Sequence, residues 1–133
     1  MGDFSQNGII SNLHDFGTKT TADIEKELEK FSKERKMELI LPSLYSELKG
    51  DALPNIVKQI GETKYLNHII IGLDRATKSE AIKAWKFFKK LNTPFTILWN
   101  DGPRLKKLHE ELKEKDLAPS EMGKGRNVWY CLG

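Results

Sequence analysis

The run "HIIIGL" at residues 68–73 decides the fold. It is apolar at nearly every position, whereas a strand with one face in water alternates apolar and polar side chains. Strands covered on both faces are typical of parallel sheets that lie between two layers of helices. Two more short apolar runs, "MELILP" at 37–42 and "FTILW" at 95–99, predict two further strands, with Pro42 ending the first.

Helical patterns alternate with these runs. Thr20 or Thr21 offers an N-cap for a first helix, and Thr77 with Glu80 forms a capping-box signature for a third. The predicted core-facing stripes are Ile24, Leu28 and Phe31; Leu53, Ile56, Val57 and Ile60; Ala81, Ala84, Trp85, Phe88 and Leu91; and Leu105, Leu108 and Leu112. A fifth apolar helix is predicted over residues 127–132.

This alternation predicts an α/β fold, an open parallel sheet with helices on both faces. The second strand is expected to pair with the first, and the third to lie outside the second. One domain is predicted over residues 20–133, preceded by an arm, residues 1–19, that is rich in Gly, Asn, Ser and Thr.

Composition excludes several classes of protein. The 133 residues are 38% hydrophobic and 31% charged, which is typical of a soluble globular protein. No apolar run is long enough to span a bilayer, and no basic leader predicts secretion, so we expect a cytoplasmic protein. A single cysteine excludes an internal disulfide and a cysteine zinc cage. The net charge of +3, with basic and acidic residues interspersed, argues against nucleic-acid binding.

Polar residues follow each predicted strand, and ligands of open parallel sheets bind at the carboxyl ends of the strands. The segments are "PSLYSE" at 42–47, "DRAT" at 74–77 and "NDG" at 100–102, which we expect to meet at one crevice. Simple structural roles are equally compatible with the first two segments. For the third, a turn and helix cap is the favoured interpretation.

Gly123, Lys124 and Gly125 predict a loop that lets a cation and backbone N–H groups approach a phosphate ahead of the last helix. A solvated turn is the alternative.

The three histidines show no metal-ligand spacing; His109, in a charged helix, is expected to be solvated. Cys131 is expected to be a buried, inert thiol, and Trp85, Trp99 and Trp129 are expected to pack in the core.

Four segments together carry a family resemblance: "LILPSLYSEL", "IIIGLDRAT", "ILWNDGPRL" and "GKGRNVWYCLG". They resemble the N-terminal, nucleotide-binding half of bacterial glycosyltransferases of the GT-A fold, which is Rossmann-like, and most closely the glucosyl-3-phosphoglycerate synthase-like branch. The arm segment "FSQNGIISNLHDFG" is also similar to the lead-in of those proteins.

The resemblance implies roles for matching positions. Pro42, Ser43, Leu44 and Glu47 match the nucleotide-binding turn after the first strand, although Tyr45 and Ser46 depart from the family's commoner Pro-Ala-Leu-Asn-Glu-Glu. Asp74 matches the acidic residue that holds the base or ribose. Lys124, flanked by Gly123 and Gly125, matches the lysine near the uracil and diphosphate.

In this family the last helix leads into a strand that ends in an Asp-x-Asp-type motif, whose carboxylates hold Mg²⁺ or Mn²⁺ on the donor diphosphate. The sequence stops before such a strand, so we predict a truncated form without metal ligands, inactive by itself. The missing strand would pair with "ELILP", and its absence predicts self-association or a partner chain at that edge.

The resemblance thus implies the UDP-sugar-binding part of an enzyme that moves a hexose, glucose from UDP-glucose, to a small acceptor such as 3-phosphoglycerate. A non-catalytic nucleotide-binding or assembly module is the alternative. A nucleotidyltransferase-like enzyme is a further one, disfavoured because residues 42–47 contain no glycine.

Overall fold

A computed structural model of the chain describes residues 19–119 and 121–133. The predicted arm, residues 1–19, lies outside the described residues except for Lys19, and so does His14. No helix in the described part of the chain is long and apolar enough to cross a membrane.

Helices and strands alternate as the sequence predicts. The order is α1 (Thr21–Glu34), β1 (Met37–Leu44), α2 (Ala52–Gly61), β2 (Leu66–Asp74), α3 (Lys78–Phe88), β3 (Phe95–Trp99), α4 (Pro103–Glu114) and α5 (Lys124–Leu132). A short 3-10 helix, Tyr45–Lys49, lies between β1 and α2. The strands form one parallel sheet in the order β1-β2-β3. The α/β fold and the strand order are therefore confirmed.

The central strand β2 is covered on both faces. On one face Ile69, Ile71 and Leu73 are fully buried in a core that includes residues of α2 and α3, with Phe88 the largest buried side chain. On the other face α5 packs against β1 and β2. This explains why the run at 68–73 lacks polar alternation.

The close approach of α5 to the sheet depends on Gly72. The side-chain amide nitrogen of Asn127 donates a hydrogen bond of 2.8 Å to the Gly72 carbonyl oxygen. A methyl group at Gly72 would overlap Asn127 Oδ1 and stand 2.9 Å from Cys131 Sγ. Only glycine therefore lets α5 lie this close to β2.

Pro42 does not end β1, contrary to the prediction. The strand continues to Leu44, and Pro42 lies in register with Gly72 of β2. Among the described residues β1 pairs with β2 alone. A proline is tolerated on such a strand when its nitrogen faces away from the neighbouring strand, because no ladder hydrogen bond is then lost.

Some predicted core stripes are more exposed than expected. In the described residues of α1 and α4 no side chain is fully buried, and Ile24, Phe31 and Leu108 are exposed. Trp85 and Trp129 are likewise exposed, whereas Trp99 is half-buried and donates from Nε1 to the Ala76 carbonyl. Periodicity predicted these helices correctly, but it does not specify which surface covers an apolar stripe.

Candidate functional site

A cleft of about 360 Å³ opens at the carboxyl ends of β1 and β2, beside the N-terminus of α5. We call it the β1–β2 cleft. Its lining comes from three segments distant in sequence: Pro42, Ser43, Leu44 and Glu47; Asp74 and Arg75; and Gly123, Lys124 and Asn127. This volume lies within the range of small-ligand sites in proteins.

The first wall is the end of β1. Glu47 reaches back, and its carboxylate accepts a hydrogen bond of 2.8 Å from the Leu44 backbone N–H, which fixes the turn into the 3-10 helix. Glu47 thus has the structural role that its position suggested, and it also lines the cleft. Ser43 is 2% exposed, and its hydroxyl has no hydrogen-bond partner among the described residues.

The second wall is the end of β2. Asp74 is 2% exposed, and its Oδ1 accepts a hydrogen bond of 3.0 Å from the Arg75 backbone N–H. The Arg126 guanidinium of α5 stands 3.9 Å from the same oxygen and is itself largely buried. Arg75 has a φ of 53°, a left-handed conformation that is uncommon outside glycine. Backbone strain of this kind is frequent beside binding sites.

The third wall is the start of α5. Gly123 is the N-cap, with a φ of 156°, and no side chain caps this end of the helix. The predicted Gly-Lys-Gly loop is therefore wrong in detail: Lys124 and Gly125 are already helical, three residues before the predicted start. The free N–H groups at this uncapped end and Lys124 give this wall a positive character.

Of the residues to which the resemblance assigns a role, all except Gly125 lie together at the cleft. Gly125 is outside the lining, and nothing stands within 4 Å of a Cβ placed on it. Arg75 belongs to the predicted segment "DRAT", but sequence reasoning missed Arg126 and Asn127. Asn127, four residues after Gly123 and so on the same side of α5, could have been found from helical spacing, whereas Arg126 has no comparable signal.

The end of β3 does not join this cleft, contrary to the expectation of one crevice. Asn100 and Asp101 line a separate cavity against α4 and α5. Asp101 Oδ2 accepts a hydrogen bond of 3.0 Å from the Ala76 backbone N–H, which ties the β3 end to the start of α3. Asp101 therefore has a structural role, and Gly102 is the N-cap of α4, which supports the favoured interpretation of "NDG" as a turn and helix cap.

Two titratable groups of α5 are buried behind the cleft. Burial raises the pKa of the Cys131 thiol, in agreement with the predicted inert cysteine. Burial also raises the pKa of Tyr130, against a smaller opposing effect of the Arg126 charge. Tyr130 shares a hydrogen bond with His109 Nδ1, and His109 is half-buried rather than solvated as expected.

The described residues bring together no group of three or more His, Cys, Asp or Glu side chains that could hold a metal ion.

Comparisons with known proteins agree with the resemblance. The chain is 45% identical over 133 residues to a glucosyl-3-phosphoglycerate synthase of Persephonella marina, a match that covers 100% of the chain. It is 33% identical over 132 residues to a second glucosyl-3-phosphoglycerate synthase, from Methanococcoides burtonii. In sequence, the chain is glucosyl-3-phosphoglycerate synthase-like from end to end.

The chain spans only about a third of the length of these curated relatives, 33% and 32%. No protein-family model matches it. No solved structure matches it either.

Proposed function

We propose that the β1–β2 cleft binds the nucleotide part of a sugar nucleotide, and that the chain serves hexose transfer in a glycosyltransferase. One observation supports this most strongly. Three segments far apart in sequence, each with its own sequence signal for ligand binding, line a single cleft at the carboxyl ends of parallel strands. That edge is where open α/β sheets bind their ligands.

The chemistry of the cleft suits a nucleotide diphosphate. Lys124 and the uncapped N-terminus of α5 supply a positive charge and free N–H donors for phosphate oxygens. The buried Asp74 carboxylate supplies an acceptor for the N–H of a base or the hydroxyls of a ribose. In this proposal Arg126, whose guanidinium lies 3.9 Å from Asp74 Oδ1, orients the carboxylate toward the ligand.

The names of the relatives suggest the rest of the reaction. Both are glucosyl-3-phosphoglycerate synthases, so we propose glucose as the transferred hexose and 3-phosphoglycerate as the acceptor. We propose UDP-glucose as the donor from the resemblance alone. The resemblance also implies Mg²⁺ or Mn²⁺ on the diphosphate. The described part of the chain offers no set of ligands for that ion, so we assign no step to it.

Calorimetric titration with UDP tests the proposal. Lys124→Ala is expected to weaken UDP binding about threefold to thirtyfold, the loss of one charge-assisted contact, and to make binding less sensitive to salt. Lys113→Ala, on the exposed surface of α4, changes the net charge equally and should leave UDP affinity unchanged. Equal affinities in wild type and Lys124→Ala would reduce residues 123–125 to a plain helix start.

A further inference from the structure

Asp74, the last residue of β2, and Arg75 line the β1–β2 cleft side by side. The function proposed above leaves open whether Asp74 meets the base or the ribose of a nucleotide, and it gives Arg75 no role. Arg75 also lines the neighbouring groove at the start of α3, so it stands at the edge of the cleft, with an exposed side chain. None of the ion pairs between described residues involves its guanidinium, whose donors are therefore available to a ligand.

The Asp74 carboxylate offers one oxygen to a ligand. Oδ1 accepts the 3.0 Å hydrogen bond from the Arg75 backbone N–H and faces the Arg126 guanidinium at 3.9 Å. Oδ2 has no hydrogen-bond partner among the described residues, and it is not among the polar atoms sealed from solvent. A carboxylate that binds both hydroxyls of a ribose uses both oxygens as acceptors. The occupied Oδ1 therefore disfavours the ribose, whereas Oδ2 alone suffices for one N–H of a base.

An apolar surface stands directly opposite this carboxylate. Leu44 of β1 is the register partner of Asp74, and both Leu44 and Pro42 line the cleft. Alternate residues of a strand share a face, so Pro42 and Leu44 form one apolar strip beside Asp74. Such a strip suits the flat face of a nucleobase better than the hydroxyls of a ribose, because it offers them no hydrogen bonds. A base that lies on this strip reaches Asp74 with its edge.

The backbone of Arg75 has a conformation that glycine adopts more easily. Its φ of 53° lies in the left-handed region, where a residue with a Cβ is strained. Glycine would allow the same N–H contact to Asp74 Oδ1 with less strain, so backbone geometry gives no reason for an arginine here. Strained residues of this kind cluster at binding sites. These observations point to the guanidinium as the functional part of Arg75.

We propose that Asp74 and Arg75 together select the base of the nucleotide, an inference that rests on the function proposed above. Asp74 Oδ2 accepts a hydrogen bond from a ring N–H, and the Arg75 guanidinium donates to the carbonyl oxygen on the neighbouring ring atom. Uracil offers this pair at N3–H and O4, and guanine offers it at N1–H and O6. Cytosine and adenine present the reverse, a ring-nitrogen acceptor beside an amino donor, so acceptor would meet acceptor and donor would meet donor.

Calorimetric titration of the 133-residue chain with nucleoside diphosphates tests this selection in pairs of matched size. We expect UDP to bind at least about tenfold more tightly than CDP, and GDP at least about tenfold more tightly than ADP, because each wrong base leaves two groups mismatched. The 2′-deoxy form of UDP should bind as tightly as UDP, since the ribose does not contact Asp74.

The outcomes separate this inference from the function on which it rests. Equal affinities for UDP and CDP would overturn the base selection and leave the nucleotide cleft in place. A loss of affinity confined to the 2′-deoxy form would assign Asp74 to the ribose and overturn it as well. If none of the four nucleotides binds, the function proposed above is wrong, and the base selection is wrong with it.

Two variants assign the selection to its residues. Asp74→Asn keeps the shape of the side chain but replaces an acceptor oxygen by an amide donor, so the preference for UDP over CDP should disappear. Arg75→Gly removes the guanidinium and should lower the ratio of UDP to CDP affinity about threefold to tenfold, the loss of one hydrogen bond. Its melting temperature should stay equal or rise, because glycine relieves the strained backbone.

Asp116 provides a matched control for the backbone effect. Its φ is 57°, and it lies outside the cleft. Asp116→Gly should therefore change the melting temperature as Arg75→Gly does and leave the affinity ratio unchanged. Because each ratio is measured within one variant, a partial loss of folded protein does not alter it. An unchanged ratio in Arg75→Gly or in Asp74→Asn would refute the pair, and the comparison of UDP with CDP on the wild-type chain needs no variant.

Discussion

At the scale of single residues, Gly72 determines how α5 packs on the sheet and thereby where one wall of the β1–β2 cleft lies. Its missing side chain lets Asn127 reach the Gly72 carbonyl and brings α5 onto the sheet. The first turn of α5 includes Lys124, and Gly123 precedes it, so the position of the cleft's positive wall depends on this contact. The sequence showed a glycine inside a strand, but only the structure shows which helix requires it.

Gly72→Ala is expected to destabilise the chain by about 2–5 kcal/mol, because the new methyl group breaks a buried hydrogen bond and overpacks the α5 contact. UDP affinity should fall with it. Chemical denaturation and calorimetry would measure both effects. Gly61→Ala, at the open end of α2 where nothing lies within 4 Å of a Cβ, should change stability by less than about 1 kcal/mol. Similar losses in both variants would contradict the proposed close approach.

Because Cys131 is the sole cysteine, thiol labelling measures its burial without interference from other thiols. Burial raises its pKa above the ordinary 9.0, so the unfolded chain loses the thiol proton first as pH rises. This contribution to stability is complete below about pH 9 and is lost as pH rises through the folded-state pKa. At pH 8 we expect a thiol reagent to label the native chain at least about tenfold more slowly than the unfolded chain. Equal labelling rates would show that the thiol is accessible.

At the scale of elements, the strands were easier to predict than the surfaces that cover them. The run at 68–73 required a strand with two covered faces, and β2 has them. The end of β1 was missed because Pro42 stops a central strand but is tolerated at an edge. Whether a strand lies at the edge or the centre of a sheet depends on how the whole sheet assembles, and the local sequence does not contain that information.

For the helices too, the local signals were predictable from sequence, whereas the surfaces that cover them were not. The capping box at Thr77 and the N-cap at Thr20 were recognisable, and both exist as hydrogen bonds; Thr20 also forms a capping box with Asp23, which was not predicted. The burial of α1 was not predictable, since an apolar stripe indicates a partner surface without identifying it. His109 was misjudged for a related reason: its partner Tyr130 lies 21 residues away, on another helix.

At the scale of the whole molecule, topology made the site predictable. Parallel strands bring their carboxyl ends to one edge, so residues 42–47 and 74 had to be neighbours once the strand order was right. The separation of Asn100 from that cleft could not be predicted. It depends on how α4 and α5 pack around the end of β3, and long-range side-chain contacts decide that packing.

The free side of β1 leads to a prediction about assembly. Pro42 has no N–H, and the Leu44 N–H bonds to Glu47 rather than to β2. Because alternate N–H groups of a strand point in opposite directions, the N–H of Ile40 also faces away from β2. The described residues provide β1 with no second neighbour, and unpaired strand edges promote pairing with another chain.

We therefore expect the 133-residue chain to self-associate through β1, with a concentration-dependent mass in light scattering coupled to size-exclusion chromatography. Ile40→Pro removes an outward N–H while leaving the pairing with β2 intact, so it should reduce association and preserve a cooperative melt. Ile40→Val keeps the N–H and should still associate. Leu41→Pro removes an N–H that faces β2 and should destabilise the fold by about 3 kcal/mol or more. A monomer at all concentrations, or undiminished association of Ile40→Pro, would show that the β1 edge is not the interface.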